Sequence, residues 1–304
     1  MKKLLTLVTF CVFAIQVFGQ QDPQFSQNMF NKLYVNPAYA GSGESICATA
    51  LYRAQWVNFD GAPKTFVAGI EAPFFDNKVG AGLSVSSDDI NFEKTLTIKL
   101  AGAYHFDLGT AKLGAGVDFD FLQKSIDGTY VFPQPQFAND PAAPKNFNDN
   151  AFDMGAGLYL TSEKLYVGLS ATHLMESEIS SEKAKQLLNR HYYGMIGYNF
   201  DITPSVTLKP SLFVKNVKDN TTIDVNMNAY INDRFWIGAS YRTNDAIVAM
   251  LGMNITEKLK VGYSYDFTTS KIKSYSDGSH EIMLGYCFNK KKKITPIGKN
   301  VRFL

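Results

Sequence analysis

The sequence predicts an all-β protein, a transmembrane antiparallel β-barrel of about 14 strands preceded by an N-terminal periplasmic or plug segment. The first observation is that apolar and polar residues alternate with a period of two through most of residues 44–289, as in strands with two different faces. The second is that these segments approach the roughly 9–11 residues that a tilted strand needs to cross a bilayer. The third is that tight turns alternate with longer loops along the chain.

The clearest alternation lies at residues 258–267, where one face is apolar and the other is small or polar. The apolar face consists of Leu259, Val261, Tyr263, Tyr265 and Phe267. In a membrane barrel the apolar face meets lipid and the polar face lines the lumen. A soluble β-sandwich is the alternative, because its strands also alternate. It gives no reason, however, for short turns on one side of the sheet and long loops on the other.

Two of the longer loops carry expectations of their own. Residues 125–150 contain four aromatic side chains that we expect to offer a contact face to a protein partner, namely Tyr130, Phe132, Phe137 and Phe147. Residues 176–189 are rich in Ser, Glu, Lys, Ala and Leu, and we expect a short helix there. Long loops of outer-membrane barrels are extracellular, so both chain termini are expected to be periplasmic.

Residues 1–19 have the composition of a cleaved secretory signal peptide. Two lysines precede the apolar run 4–18, which is shorter than the roughly 18–20 residues of a spanning helix. Compact residues stand at the first and third positions before a cut at Gln20. An uncleaved membrane anchor is the alternative.

Residues 20–43 form a polar segment without strand alternation. Pro37 fixes a turn and favours an extended backbone at Asn36. Six large apolar side chains are too many for a solvated leader: Phe25, Met29, Phe30, Leu33, Tyr34 and Tyr39. We therefore expect this segment to pack inside the barrel or against its periplasmic mouth, with a flexible export leader as the alternative.

The charge of the mature chain is balanced but uneven. Removal of residues 1–19 leaves 28 basic and 28 acidic groups, and six of the basic groups lie in the periplasmic tail 290–304, which has no acid. The folded part therefore lacks the basic stripe of a nucleic-acid-binding protein. Outer-membrane lipid is the expected surrounding, and no nucleic-acid partner is expected.

The lumen is predicted to hold charged side chains. Arg53 lies on the opposite parity from Tyr52 and Trp56, so it faces the lumen if those two aromatic residues face lipid. A buried arginine requires an acidic partner, and the candidates are Glu71, Asp118, Asp120, Asp153 and Glu281. This cluster is either a gate or partner site, or a salt-bridge network that braces the wall.

Two cysteines remain in the mature chain, Cys47 and Cys287, near the start of the first strand and the end of the last. Barrel closure makes those strands neighbours, and an oxidising compartment permits a bridge if the Cα atoms lie within about 7 Å. The sequence leaves open whether the bridge forms.

Catalytic and cofactor motifs are absent from the sequence. The four histidines have no metal-ligand spacing, no G-x-S-x-G motif occurs, and the Gly-x-Gly steps lack the rest of a dinucleotide fingerprint. We therefore expect no catalytic, cofactor-binding or metal-binding residues and no enzyme activity.

Three local sequences together resemble the PorP/SprF family of Bacteroidetes outer-membrane proteins. They are residues 21–31, residues 34–42 with the motif Asn36, Pro37, Ala38 and Tyr39, and residues 52–65. The resemblance is tight over residues 20–65. Beyond residue 65 it depends on the hairpin pattern.

The resemblance implies a non-enzymatic outer-membrane barrel of the type IX secretion system, with a role in protein secretion or gliding motility. Many members hold a secreted adhesin at the cell surface through that adhesin's C-terminal sorting domain. A core member instead connects the membrane to the periplasmic components of the system. The alternative is a channel for hydrophobic or small solutes similar to the FadL family, which also has about 14 strands and a plug. Such a channel is expected to contain an apolar tunnel.

Overall fold

The computed structural model describes residues 22–126, 146–180 and 185–288. Three short helical turns, Asn28–Phe30, Lys32–Val35 and Pro37–Tyr39, precede the strands, and another lies at Lys271–Ser274. The strands are β1 (Ile46–Ala54), β2 (Lys64–Phe74), β3 (Val79–Ile90), β4 (Glu93–Asp107), β5 (Ala111–Ile126), β6 (Phe147–Ser162), β7 (Leu165–Thr172), β8 (Glu178–Ser180), β9 (Lys185–Leu187), β10 (His191–Tyr198), β11 (Phe200–Thr203), β12 (Val206–Val217), β13 (Asn220–Ile231), β14 (Phe235–Arg242), β15 (Ala246–Asn254), β16 (Leu259–Thr268) and β17 (Ser279–Phe288).

The strands form a closed antiparallel barrel of 14 strands, which confirms the predicted fold class. Strands β10 and β11 both pair with β12 and are two parts of one barrel strand, whereas β8 and β9 form a separate hairpin. The last strand pairs with the first, from Ile46 opposite Phe288 to Ala54 opposite His280. Closure leaves the barrel sheet without a free edge, which is what a sheet in a bilayer requires.

The two faces of the strands divide as the alternation predicts. Large apolar side chains such as Leu100, Phe119 and Ile282 are exposed on the outside, whereas the polar side chains between them are buried in the lumen. Tyr52 is also exposed on the outer face. Trp56 lies in the loop beyond β1 with a positive φ of 47°, so the strand parity does not extend to it. Among the described residues, the helices are too short and too polar to cross a membrane.

The two ends of the barrel differ in their connections. At one end, which we call the short-turn end, β1 begins, β17 ends and every connection is brief, as between β6 and β7 or β11 and β12. At the other, the long-loop end, lie the long connections after β1, β7 and β16, and β5 ends and β6 begins there. The predicted asymmetry is incomplete, because the turns after β3, β12 and β14 at the long-loop end are also tight.

The helix expected at residues 176–189 is wrong where the structure describes this stretch. Strands β8 and β9 pair there as a hairpin. Ile179 of β8 and Leu188, which follows β9, are buried against Leu122 and Ala151 of the barrel wall. Burial of these apolar groups by the wall outweighs the weak local preference for helix.

A disulfide joins Cys47 and Cys287. The sequence had left open whether this bridge forms. The two residues are register partners on β1 and β17, with their Cα atoms 4.0 Å apart. The bridge therefore closes the seam between the first and last strands near the short-turn end.

Replacing both cysteines by serine is expected to weaken this seam. The bridge constrains the unfolded chain, so its loss should lower the free energy of unfolding by about 2–4 kcal/mol. Urea unfolding in detergent micelles measures the change, and alkylation of the denatured wild type without reductant counts the free thiols. Two free thiols in the oxidised wild-type protein would contradict the bridge.

Candidate functional site: the filled lumen

A folded piece of the chain occupies the barrel interior. Residues 22–41, which we call the luminal segment, place five side chains at no more than 1% exposure: Ser26, Gln27, Asn36, Ala38 and Ala40. Asp22 contacts the wall near the long-loop end, at Lys215 and His191, whereas Gly41 contacts Glu71 near the short-turn end. The segment therefore runs along the lumen from near one end to near the other, and is not confined to one mouth of the barrel.

The large apolar side chains of the luminal segment explain part of its fit. All six of those singled out in the sequence pack in two clusters with apolar groups of the wall. Phe25 meets Tyr34 edge-on with ring centroids 5.6 Å apart, and Phe30 lies 5.0 Å from the ring of Trp236. Burial of these groups favours the folded segment over a solvated leader.

The motif of Asn36, Pro37, Ala38 and Tyr39 fixes the segment to β6 and β7. Asn36 has the extended backbone that the following proline favours, with φ −142° and ψ 106°. Its amide donates to the carbonyl oxygens of Leu158 at 3.0 Å and Leu169 at 3.4 Å. Its side-chain oxygen accepts from Ala38 N at 3.0 Å. One asparagine therefore caps the turn and binds the wall.

Tyr39 completes the motif on the short-turn side. Its ring meets that of Tyr159 edge-on at a centroid distance of 5.2 Å. The tyrosine is half-buried and packs against both apolar clusters of the lumen.

Glycines of the wall allow the backbone of the segment to approach closely. A Cβ added at Gly116 would lie 2.6 Å from Ala38 N, and one at Gly114 would lie 2.6 Å from Ala38 O. A Cβ at Gly80 would overlap Ala40 O. These inward glycines therefore make room for another backbone.

Arg53 lies in the lumen and is 1% exposed. Its guanidinium donates to Asp266 at 2.7 Å and to Glu281 at 3.3 Å, carboxylates of β16 and β17. It also donates to Ser26 Oγ of the luminal segment at 2.8 Å. Glu281 was among the acids expected from the sequence, and Asp266 was missed although it lies on the polar parity of its strand.

Arg242 is a second buried cation at the same place, which sequence reasoning also missed. It donates to Asp224 at 3.0 Å and to Asp266 at 3.0 Å. It also donates to Phe25 O and Ser26 Oγ, each at 3.2 Å. The two arginines therefore share Asp266 and hold the luminal segment between them.

Glu281 binds the luminal segment directly. Its two carboxylate oxygens accept from Ser26 N and from Gln27 N, each at 2.8 Å. A buried carboxylate is stable only when it is paired or hydrogen-bonded, so the segment supplies part of what Glu281 requires. We call Arg53, Arg242, Asp224, Asp266 and Glu281 the luminal clamp.

Asp22 is held by a separate group of side chains. Its carboxylate accepts from Tyr193 at 2.8 Å and contacts His173 Nε2 at 2.9 Å, and its backbone N donates to His191 Nε2 at 3.0 Å. These three ligand-bearing side chains, Asp22, His173 and His191, have atoms within 4.8 Å of one another and could hold a metal ion. The pairing of β7 with β10 brings the two histidines together, and the path of the luminal segment brings Asp22 to them, which alternation within single strands could not show.

The other acids expected in the lumen have separate roles. Asp120 pairs with Lys99 at 2.7 Å, and Asp118 is buried beside the backbone of Gly155. Asp153 faces His173 Nδ1 at 3.6 Å. These three acids face the lumen, as predicted, but the structure shows no contact between them and Arg53.

Of the aromatic residues expected to contact a partner, Phe147 alone falls within the described residues. It begins β6 and is half-buried against the cluster that contains Ile179 and Leu188. Tyr130, Phe132 and Phe137 lie outside the described residues.

Replacing Arg242 by glutamine tests the clamp. The change leaves Asp224 and Asp266 short of a buried cation, and we expect the free energy of unfolding to fall by about 3–5 kcal/mol. Urea unfolding followed by fluorescence of the buried Trp236 measures it. Lys94→Gln is the control, because Lys94 and Asp89 form an exposed pair worth about 0–1 kcal/mol. Equal losses in both variants would contradict the role of the clamp.

Gly116→Ala tests the close approach of the segment to the wall. The added methyl group must displace Ala38, so backbone amides of residues 36–41 should exchange hydrogen at least about tenfold faster. Gly102→Ala on the neighbouring strand is the matched control, because a Cβ there meets nothing within 4 Å. Exchange measured by mass spectrometry that is unchanged in Gly116→Ala would overturn the assignment.

The chain was compared with known proteins. The family model of the type IX secretion system membrane protein PorP/SprF matches residues 17–286. No curated protein has a similar sequence. Among solved structures, the chain is similar to the Acinetobacter baumannii outer membrane protein Omp33, with 11% identity, coverage of 82% of this chain and 100% of that chain, and a TM-score of 0.48. The Ralstonia pickettii toluene transporter TbuX is 12% identical, with coverage of 84% of this chain and 92% of that chain and a TM-score of 0.48. The CymD monoaromatic hydrocarbon channel is 12% identical, with coverage of 88% of this chain and 94% of that chain and a TM-score of 0.47.

The family match includes the luminal segment as well as the barrel, because both lie within residues 17–286. It confirms the resemblance seen at residues 20–65 and extends it over the strands. The chain belongs to the PorP/SprF family of type IX secretion system membrane proteins.

Proposed function

We propose that this outer-membrane barrel is not an enzyme and that it anchors, or helps to export, a secreted cell-surface protein through the C-terminal sorting domain of that protein. The observation that carries the proposal is the filled lumen. The luminal segment is fixed along the interior by a buried ionic clamp. A barrel filled in this way is better suited to bind a partner than to let a partner pass through its lumen. The partners are then a secreted adhesin and other components of the secretion system.

The proposed orientation places the long-loop end at the cell surface and the short-turn end in the periplasm, as in other outer-membrane barrels. The strands begin and end at the short-turn end, so the basic tail starts on the periplasmic side. Asp22 lies near the long-loop end instead. In this orientation the first described residue is therefore closer to the cell surface than a periplasmic N-terminus would be.

The long-loop end offers apolar side chains from several connections. Phe59, Met175, Leu187 and Tyr275 are exposed there, and Tyr275 reaches 71% exposure. The short-turn end also exposes apolar groups, such as Phe75 and Ile202, so the choice of the long-loop end rests on the proposed orientation.

The channel alternative has less support from the lumen. A carrier of hydrophobic solutes requires an apolar path, and this interior instead contains the buried charges of Arg53, Arg242, Asp224 and Asp266. These charges bind the luminal segment and would be exposed to solute if it moved.

Purification of the tagged protein from native membranes tests the anchoring function. We expect stoichiometric recovery of a large secreted protein that carries a sorting domain. A Met175→Ser, Tyr275→Ser variant should recover at least about tenfold less, because apolar contact area is lost. Phe75→Ser removes an equally exposed aromatic residue from the short-turn end and is the control.

Two results would contradict the proposal. One is recovery of bound lipid alone from the wild-type protein. The other is equal loss of the partner in the Phe75 control and in the long-loop variant.

A further inference from the structure

Three side chains with metal-binding atoms meet toward the long-loop end of the lumen. They are Asp22 of the luminal segment, His173 after β7 and His191 at the start of β10, and we call them the histidine–aspartate cluster. His173 Nε2 lies 2.9 Å from Asp22 Oδ1, and the ligand atoms of the cluster are all within 4.8 Å of one another. Bonds of about 2.0–2.2 Å to a tetrahedral zinc ion put ligand atoms roughly 3–4 Å apart. The cluster is therefore close to the spacing that one ion requires.

His173 reaches the cluster because its backbone departs from the strand. Strand alternation would turn it away from Thr172, but its φ is 55° and both side chains are buried. Thr172 Oγ1 lies 3.3 Å from Asp22 Oδ2, and His173 Nε2 lies beside Asp22 Oδ1. Two consecutive residues of the wall therefore contact the same carboxylate.

The second nitrogen of each imidazole ring is held as in metal-binding histidines, which usually donate through it to a carbonyl or a carboxylate. His191 Nδ1 donates to Asn189 O at 2.8 Å, so its Nε2 carries a lone pair and accepts from Asp22 N at 3.0 Å. His173 Nδ1 faces Asp153 Oδ2 at 3.6 Å. Both rings thus direct Nε2 toward Asp22, and an ion would replace the N–H group at His191.

Hydrogen bonds fix the two carboxylates around His173. Asp153 Oδ1 accepts from Met154 N at 2.7 Å and from Met175 N at 3.0 Å. Asp22 Oδ2 accepts from Tyr193 Oη at 2.8 Å, which leaves Oδ1 toward the histidine. Partners of this kind orient metal ligands before an ion arrives.

A cavity of about 70 Å³ borders the cluster, and all three of its side chains line that cavity. Ile90 and Glu93, which flank the turn between β3 and β4 at the long-loop end, line it as well. Ile90 is exposed, so the cavity extends from the cluster toward the mouth of the barrel. It offers an ion a path of entry and has room for the water molecule that completes a zinc site with three protein ligands.

Two lysines near the cluster bind other acceptors. Lys215 Nζ donates to the backbone carbonyl oxygen of Asp22 at 3.0 Å. Lys124, which lines the cavity, pairs with Glu93 at 2.6 Å. The carboxylate of Asp22 is directed instead toward the histidine and hydroxyl groups.

We propose that Asp22, His173 and His191 bind a divalent transition-metal ion, and that zinc is the ion. Imidazole nitrogens suit zinc, whereas magnesium and calcium prefer sets of oxygen ligands. The bound ion connects the start of the luminal segment to β7 and β10. The sequence gave no indication of this site, because its histidines lack metal-ligand spacing. The inference goes beyond the proposed function, since a secreted partner can be recovered whether or not an ion is bound.

The test uses the full mature barrel in detergent, without a polyhistidine tag and stripped of metal by EDTA. Calorimetric titration with zinc chloride should show that a single ion binds each chain with a micromolar or lower Kd. Magnesium chloride should produce no heat of binding, because two of the three ligands are imidazoles. A wild-type protein that binds no zinc, or that binds magnesium as tightly, would overturn the proposal.

Variants locate the ion. Asp22→Asn and His191→Gln should each weaken zinc binding at least about tenfold. His280→Gln is the matched control, because His280 lies at the same end of the barrel but contacts Tyr263 Oη, outside the cluster. Fluorescence of the buried Trp236 verifies that each variant is folded. An equal loss of affinity in the control, or none in the two cluster variants, would overturn the assignment.

Hydrogen exchange of the wild-type protein tests the same site without a substitution. Saturating zinc should slow exchange of the backbone amides of residues 23–28 at least about tenfold, because the ion stabilises the bound position of the segment. Magnesium should leave the exchange unchanged. Zinc that binds without slowing exchange in these residues would lie elsewhere and would contradict the proposal.

Discussion

The luminal clamp is the interaction on which the filled barrel depends. The wall presents Arg53, Arg242 and three carboxylates to an interior from which the luminal segment excludes water, so these charges must be compensated by one another and by the segment. The compensation is incomplete without the segment. Glu281 accepts hydrogen bonds from two backbone N–H groups of the segment, and both arginines donate to Ser26 Oγ. The charges of the wall and the path of the segment therefore determine one another.

The two ends of the lumen differ chemically. Toward the long-loop end, Asp22 is held by two histidines and a tyrosine, next to loops that expose apolar groups. Toward the short-turn end, Lys32 lies over the ring of Tyr166 and Lys209 over the ring of Tyr230. The luminal segment extends between these two ends.

Much of this structure follows from the sequence, because alternation in a single strand is a local property. It predicted the closed barrel, the inward direction of Arg53 and the extended backbone at Asn36. Other features depend on positions far apart in the chain. Asp266 reaches Arg53 across β17, which separates their strands, and Asp22 meets His173 and His191 only because the luminal segment passes β7 and β10. The glycines and the hairpin of β8 and β9 show the same limit, because the partner that decides each of them is a distant part of the chain.

The most direct measurement of a filled lumen is the conductance of single barrels in a planar bilayer. The mature protein should be closed at low voltage, because the luminal segment occupies the interior. A variant that lacks residues 22–40, inserted in the same way, should show steps of an open pore. An intact protein that conducts as strongly as the shortened variant would contradict the account.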